Sequence, residues 1–282
     1  MVVFPNIKIN LGLNILQKRS DGYHDIETVM VGVDWCDVLE IVPSNHSNDN
    51  LTVTGYTIDC PPEKNLVMKA VKAMRALFEQ LPAVDIFLHK NVPDGAGLGG
   101  GSSNAAFTIL ALNKLFDLGL DKQKMCEIAS GIGSDCPFFI YNEPMLATGR
   151  GELLTPVAGI ASQLREYCIA IVKPCGVSVS TAAAYAGVTP QIPEQRISDV
   201  LSKPIKEWKY TLENAFEHSI FALTKQPEDI KRRLYDIGAI YASMSGSGSA
   251  VYGIFETNNV NSRGFKNLFP NTDVHIGCPI LN

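Results

Sequence analysis

Between residues 7 and 15 the chain alternates strictly: Ile7, Ile9, Leu11, Leu13 and Ile15 are separated by Lys8, Asn10, Gly12 and Asn14. A period of two is that of a strand, with one set on each face of a sheet. Lys8 and Asn10 then point the same way, off the apolar face. Further strands are expected over residues 38–42, 51–54 and 85–89. Between 65 and 81 the apolar positions Leu66, Val67, Ala70, Val71, Met74, Leu77 and Phe78 recur near every 3.6 residues, which predicts a helix. A glycine-rich loop follows residue 90, then a helix over about 103–116 with Gly119 as its C-cap. The second half predicts a strand over 167–173, helices around 181–185, 214–224 and 228–237, and a strand near Tyr241. A glycine/serine loop, a strand over 250–255 and a final strand near 274–276 complete it. The quiet stretch 157–163 marks the expected boundary between two α+β domains, residues 1–157 and 158–282.

Composition narrows the function classes. A chain of 282 residues can hold one large domain or two ordinary ones. With 46% hydrophobic and 19% charged residues it has a globular balance, so disordered and collagenous readings fall away. The net charge of −5 argues against broad attraction to nucleic acid or an anionic membrane. An anionic ligand therefore needs a local pocket of cations or amides. No secretion leader is legible at the start, and no apolar run reaches the length of a membrane span. The seven cysteines are odd in number, widely spaced and without a CxxC pair. That speaks against a disulfide framework or a zinc site, and for a reduced, cytoplasmic protein with most thiols in the core.

The strongest chemical signal is Pro93-Asp94-Gly95-Ala96-Gly97-Leu98-Gly99-Gly100-Gly101-Ser102-Ser103-Asn104-Ala105-Ala106, between a predicted strand and a predicted helix. Such a loop can adopt positive φ and approach a ligand closely. Its amides and the following helix N-terminus suit a polyphosphate. Ser102 and Ser103 place hydroxyls there, able to cap the helix or to reach a phosphate or its metal. It is not a Walker A loop, and the protein-kinase motifs are absent. Gly95, Gly97 and Gly100 match a dinucleotide fingerprint formally, but Asp117, at about the spacing of the acid, falls at the end of a helix instead of a second strand. The second glycine-rich element, residues 243–249, suits either a flexible hairpin or the rim of a phosphate site. Lys8 and Asn10, Asp135 before an apolar run, the turn Asp21-Gly22-Tyr23-His24 and the turn Gly149-Arg150-Gly151-Glu152 each have a plain structural reading when taken alone.

Together these pieces, in this order, resemble the GHMP kinase superfamily of galactokinase, homoserine kinase, mevalonate kinase and relatives. The segments that carry the resemblance are residues 6–11, 21–24, 95–106, 133–139 (Gly133-Ser134-Asp135-Cys136-Pro137-Phe138-Phe139), 149–152 and 243–249. Asp-Gly-Tyr-His and the triple glycine resemble the branch that acts on CDP-methylerythritol. The resemblance implies an α+β, two-domain GHMP kinase-like fold, with a ribosomal protein S5 domain 2-like N-terminal domain and a ferredoxin-like C-terminal domain. It implies ATP and Mg²⁺ as cofactors and a small-molecule alcohol as partner, in a monomer or weak homodimer.

By the same resemblance Lys8 and Asp135 are the catalytic pair, and Asn10 places the acceptor hydroxyl. Tyr23 stacks on cytosine, His24 hydrogen-bonds it, Tyr185 covers its other face, and Thr181 contacts the substrate. Asn65 and Lys90 lie near the ATP base and ribose. Pro93, Gly95, Ala96, Gly97, Leu98, Gly99, Gly100, Gly101, Ser102 and Ser103 wrap the triphosphate, with Ser103 toward the metal. Two positions depart from the common pattern: Ser134 stands where alanine is usual, and Asn104 where aspartate is usual. No helix glutamate for the metal is legible. Alternative readings are another small-alcohol kinase (homoserine or mevalonate type), a non-catalytic nucleotide-binding protein, and a dehydrogenase.

Overall fold

The structure, a computed structural model, describes residues 1–58, 60–257 and 262–281. The chain divides into two compact units, Met1–Ile7, Trp35–Asp94 and Gly99–Asn142 in the first, and Lys8–Asp34, Gly95–Leu98 and Glu143–Asn282 in the second.

The first unit is a four-stranded sheet covered by helices. Its strands β1 (Val2–Val3), β4 (Val38–Pro43), β6 (Val84–Lys90) and β5 (Asn50–Gly55) lie side by side in that order, β5 parallel to β6 and the others antiparallel. Along β6, Val84, Ile86 and Leu88 are buried while Phe87 and His89 are exposed, as expected of a sheet with one covered face. Helix α1 (Leu66–Leu77) packs on α2 (Gly100–Leu115), and α4 (Cys136–Tyr141) on both α2 and α3 (Lys122–Ser130). Val71, Met74, Ile109 and Leu112 fill this core.

Helix ends differ from the sequence expectations for local reasons. Helix α1 stops at Leu77 instead of 81. Phe78 leaves the helix at φ −129°, and Leu81 precedes Pro82, a position that disfavours helical backbone. Helix α2 begins at Gly100, three residues early, because Gly99 takes φ +71° and serves as the N-cap. Its end is closed by Asp117 at φ +50°, with the Leu118 N–H donating to the Asn113 carbonyl at 3.0 Å. Asp117 is therefore the left-handed C′ residue, and Gly119, at φ +70°, lies beyond the cap.

The second unit carries two sheets. In one, β13 (Pro279–Ile280), β3 (His24–Cys36), β7 (Met145–Thr148) and β8 (Leu153–Pro156) run in that order, with β2 (Asn6–Lys18) paired to β3. In the other the order is β10 (Tyr241–Met244), β11 (Val251–Glu256), β9 (Tyr167–Pro174), β12 (Thr272–Gly277), all antiparallel. Taking β9 as the first of the four, this is the strand arrangement of a ferredoxin-like sheet. The helices here include α5 (Ile160–Leu164), α6 (Thr181–Ala186), α7 (Ile197–Leu201), α8 (Ile205–Trp208), α9 (Glu217–Leu223) and α10 (Gln226–Asp236), the last packed on β9, β10 and β11. One apolar cluster joins Leu13, Ile15, Ile26, Val172, Phe216, Ile220, Leu234 and Phe255.

Several expectations need correction. The strand β3 is absent from the sequence reading, and β12 is followed by β13. The helix expected over 214–224 starts at Glu217, because the Asn214 side chain accepts the Phe216 N–H at 3.0 Å in a turn. Lys8 and Asn10 do not line a solvated face. Both are buried, at 3% and 2% exposure, because the glycine loop covers that side of β2: the Lys8 N–H donates to the Leu98 carbonyl at 2.9 Å. Of the seven cysteines, all free thiols, only Cys136 and Cys168 are buried, and Cys175 and Cys278 lie exposed just past strand ends.

Asp121 caps α3 by accepting the Lys124 N–H at 2.7 Å, and Leu112 is fully buried. Urea unfolding of Asp121→Ala is expected to show a loss of about 1 kcal/mol, and of Leu112→Ala about 2–5 kcal/mol, with unchanged m-values. Equal losses in the two variants contradict this packing.

Candidate active site

In the second unit the short loop Gly95–Leu98 is held from both sides at one atom. The Gly97 carbonyl oxygen accepts the Lys8 ammonium at 3.1 Å and the Ser245 hydroxyl at 3.0 Å. Lys8 also donates to Asn10 Oδ1 at 2.6 Å. Asn10 Nδ2 donates to Thr28 Oγ1 at 3.0 Å, and Thr28 in turn to the Gly12 carbonyl at 2.5 Å. Gly97 has to be glycine: its φ is +77°, and a Cβ there would overlap the Ser245 carbonyl.

The second glycine-rich element is neither a loose hairpin nor a row of free hydroxyls. Ser243, Ser245 and Ser249 are buried, and each donates to a protein acceptor: Glu217 Oε1 at 3.0 Å, the Gly97 carbonyl and the Val177 carbonyl at 2.8 Å. Two residues that the sequence reading passed over fix this loop. Asn214 donates to the carbonyls of Met244 and Gly246, both at 2.8 Å. Glu217 accepts the Met244 N–H at 2.8 Å through one oxygen and the Lys231 ammonium at 2.6 Å through the other. No local pattern marks either residue, since the loop partners of both lie far along the chain.

In the first unit the loop continues as the start of α2. Gly100 and Gly101 open the helix and Ser102 follows, so their amides are free of intrahelical carbonyls. Asn65, the N-cap of α1, stands close by: its neighbour Leu66 is 3.6 Å from where a Gly101 Cβ would sit. Lys90 lies beneath Gly100, buried in a closed polar network. It donates to Asp37 and, at 3.1 Å, to Asn104 Oδ1. Asn104 Nδ2 donates to Asp37 Oδ2 at 2.9 Å, and the N–H groups of Asn91 and Val92 donate to Asp37 Oδ1 at 2.8 and 2.9 Å. This explains the asparagine at 104, because an aspartate there would set a second carboxylate against Asp37. Asp37 was not foreseen; its trace is a single acid inside Trp35-Cys36-Asp37-Val38-Leu39.

Asp135 is half-buried at the N-cap of α4, next to the glycine helix: Gly133 sits against both the Cys136 thiol and the Ser102 hydroxyl. Burial, with the Asp135 charge adding to it, pushes the Cys136 thiol up to about 12. Ser103 Oγ is the one buried side-chain polar atom without a hydrogen-bond partner among the described residues. A buried hydroxyl of this kind is rare and suits an oxygen ligand of a cation. Among the described residues no group of three or more His, Cys, Asp or Glu side chains could hold a metal. The donor set therefore fits Mg²⁺ only as an ion held largely by phosphates and water, which is its usual habit.

The expected cytidine-end residues cluster in the second unit. Tyr23 and His24 stand at the β2–β3 hairpin, where the Arg19 N–H donates to the Tyr23 carbonyl at 2.8 Å. His24 stacks on Tyr185, ring centroids 4.7 Å apart and 13° from parallel, and Tyr185 meets Phe216 edge-on at 4.9 Å. That spacing leaves no room for a third ring between His24 and Tyr185. Thr181 is exposed at the first position of α6.

A glycine-rich loop that meets a second glycine/serine loop at Gly97 and runs on into a glycine-opened helix, in an α+β fold, is the arrangement of a GHMP-class kinase. The GHMP kinases N terminal domain matches residues 65–143, and the GHMP kinases C terminal domain residues 203–265. A 4-diphosphocytidyl-2-C-methyl-D-erythritol kinase from Parabacteroides distasonis is 47% identical over 91% of this chain and 92% of its own. A crystal structure of 4-(cytidine 5'-diphospho)-2C-methyl-D-erythritol kinase superposes with a TM-score of 0.84 at 29% identity, covering 100% of both chains. Homoserine kinase from Cytophaga hutchinsonii shares the fold, with a TM-score of 0.73 at 18% identity over 98% of this chain and 96% of its own. The chain belongs to the 4-diphosphocytidyl-2-C-methyl-D-erythritol kinase family. Among the described residues no helix is long and apolar enough to cross a membrane.

Two outcomes test the site's polar interior. Asp37→Ala strands the Lys90 ammonium in the core and is expected to cost about 3–5 kcal/mol in urea unfolding; a loss below about 1 kcal/mol would place the network outside the folded core. Brief iodoacetamide treatment of native protein at pH 8 is expected to label Cys175 and Cys278 and spare Cys136, read by peptide mass spectrometry.

Proposed function

We propose that this chain transfers the γ-phosphate of ATP to the 2-hydroxyl of 4-diphosphocytidyl-2-C-methyl-D-erythritol, in non-mevalonate isoprenoid precursor biosynthesis. Its family supports the reaction class and the acceptor. The observation that carries the site assignment is Lys8, a buried ammonium held against the glycine loop at Gly97.

Phosphoryl transfer asks for alignment and charge neutralisation more than covalent work. The amides from Gly95 to Ser103 bind the triphosphate, with Pro93 at the entry and Asn65 and Lys90 toward the nucleoside. Lys90 does so by fixing the loop's base through Asp37 and Asn104, as its ammonium is committed there. Asp135 accepts or orients the acceptor proton, Lys8 favours negative charge on the acceptor oxygen, and Asn10 places it. Ser103 is the residue toward Mg²⁺, which when bound neutralises the phosphate oxygens. Tyr23 stacks on cytosine, while His24 and Tyr185, closed on each other in this structure, separate to admit it. Thr181 borders the same site. The division into an ATP-binding domain over 1–157 and a C-terminal domain over 158–282, a cytoplasmic location and a monomer or weak homodimer complete the proposal.

Purified protein with ATP, Mg²⁺ and this substrate is expected to give ADP and the phosphorylated product, with inhibition by CMP and no turnover of homoserine or mevalonate. Folded protein that turns over none of them at millimolar ATP overturns the reading. Asp135→Asn is expected to bind both substrates normally while kcat falls about 10²–10⁴-fold. Near-normal kcat in that variant removes Asp135 from proton handling.

A further inference from the structure

We infer that Arg150 is a positioning residue for the cytosine platform: its guanidinium braces one face of Tyr23 so that the opposite face is presented to the base. This rests on the reading that Tyr23 receives the cytosine.

The hairpin tip fixes the backbone of Tyr23 but not its ring. The Tyr23 N–H donates to Asp21 Oδ1 at 3.1 Å, Arg19 Nε pairs with Asp21 at 3.0 Å, and Arg19 Nη1 pairs with Asp25 at 2.7 Å. The Tyr23 amide, above the other causes, holds the Asp21 carboxyl below its ordinary range. The side chain is nevertheless 56% exposed. An exposed aromatic that must stack on a ligand loses rotamer freedom on binding, and that loss is deducted from affinity unless the ring is already held.

Arg150 supplies the hold. Its guanidinium carbon lies 5.0 Å from the Tyr23 ring centroid, within cation–π range. The arginine is itself fixed. Its N–H donates to Glu152 Oε2 at 2.7 Å and its Nε to Glu152 Oε1 at 3.4 Å. The turn that carries it is joined to β3, where the Ile26 N–H donates to the Gly149 carbonyl at 2.8 Å. A turn residue flanked by glycines at φ +66° and +108° needs no particular side chain for its backbone. Pairing with Glu152, two residues away, does not require the guanidinium to lie over Tyr23. The placement of the guanidinium over the ring is the specific feature, and it leaves the other face for the base.

The test is steady-state kinetics of full-length Arg150→Ala, Arg150→Lys, Tyr23→Ala and the Tyr23→Ala/Arg150→Ala double variant with the CDP-bearing substrate. Arg150→Ala is expected to raise KM for that substrate about three- to fivefold, the scale of one exposed cation–π contact, with kcat and KM for ATP unchanged. Arg150→Lys, which keeps the cation, recovers part of this. In the Tyr23→Ala background, loss of Arg150 has no further effect. An unchanged KM in Arg150→Ala overturns the inference. So does an additive loss in the double variant, which would mean that Arg150 contacts the substrate's phosphates directly. If Arg150→Ala fails to fold by its thermal midpoint, an unchanged KM in Arg150→Gln overturns the inference equally. Wild-type protein that does not turn over the CDP-bearing substrate defeats the functional reading itself, a result distinct from wild-type activity with an insensitive Arg150.

Discussion

One backbone oxygen organises the second unit's share of the site. The Gly97 carbonyl accepts a lysine from the first long strand and a serine from the second glycine-rich loop. Both donors reach it because residue 97 has no Cβ and its backbone can turn to φ +77°. Any side chain there would displace Ser245, and with it the loop that Asn214 and Glu217 hold from below. Lys8, the proposed catalytic lysine, is thus positioned by the same atom that shapes the glycine loop. A buried ammonium placed among protein oxygens keeps one geometry, whereas an exposed lysine samples many.

The first unit solves a different problem by similar means. A glycine-rich helix start is conformationally costly, because glycine loses more freedom on ordering than any other residue. The closed network of Asp37, Lys90 and Asn104 lies directly beneath Gly100 and ties β6 to α2. Each charge in it is partnered, which is the condition under which burying ions is tolerated. The asparagine at 104 belongs to this arrangement as a neutral cross-link, donating to Asp37 and accepting from Lys90. The amide at this position is therefore accounted for by its local partners.

What the sequence disclosed follows the range of the interactions involved. Strands with one covered face, such as β6, and helices with one apolar stripe, such as α1, announce themselves through local period. The strand β3 does not, because Ile26 to Val33 are buried without interruption and leave no alternation to read. Helix ends were displaced where backbone angles, not periodicity, decided them, at Gly99 and Asp117. In the site, the glycine loops and the short motifs were legible as local strings. Asp37, Asn214 and Glu217 were not, since their partners lie tens of residues away in sequence and their role exists only once those segments meet. Lys8 and Asn10 were legible as chemistry but not as burial: alternation shows that two residues share a face, not what covers it.

The same contrast separates the residues proposed for catalysis from those proposed for recognition. Lys8 and Asn10 are buried and each makes two side-chain hydrogen bonds, which suits groups whose placement would set a reaction rate. Tyr23 and Thr181 are exposed, and His24 and Tyr185 are only half-buried, closed on one another with no slot between them. A rigid pre-formed slot would bind the base with less ordering cost, but it would also have to stay open to water when empty. Stacking His24 on Tyr185 covers those ring faces. If the base binds here as proposed, selectivity would come from exchange: a ring that stacks at least as well as the imidazole displaces it, which would favour a nucleobase over a plain sugar alcohol. On the proposed assignment the fold holds the reacting groups in fixed, hydrogen-bonded positions and leaves substrate choice to aromatic surfaces at the hairpin tip and α6.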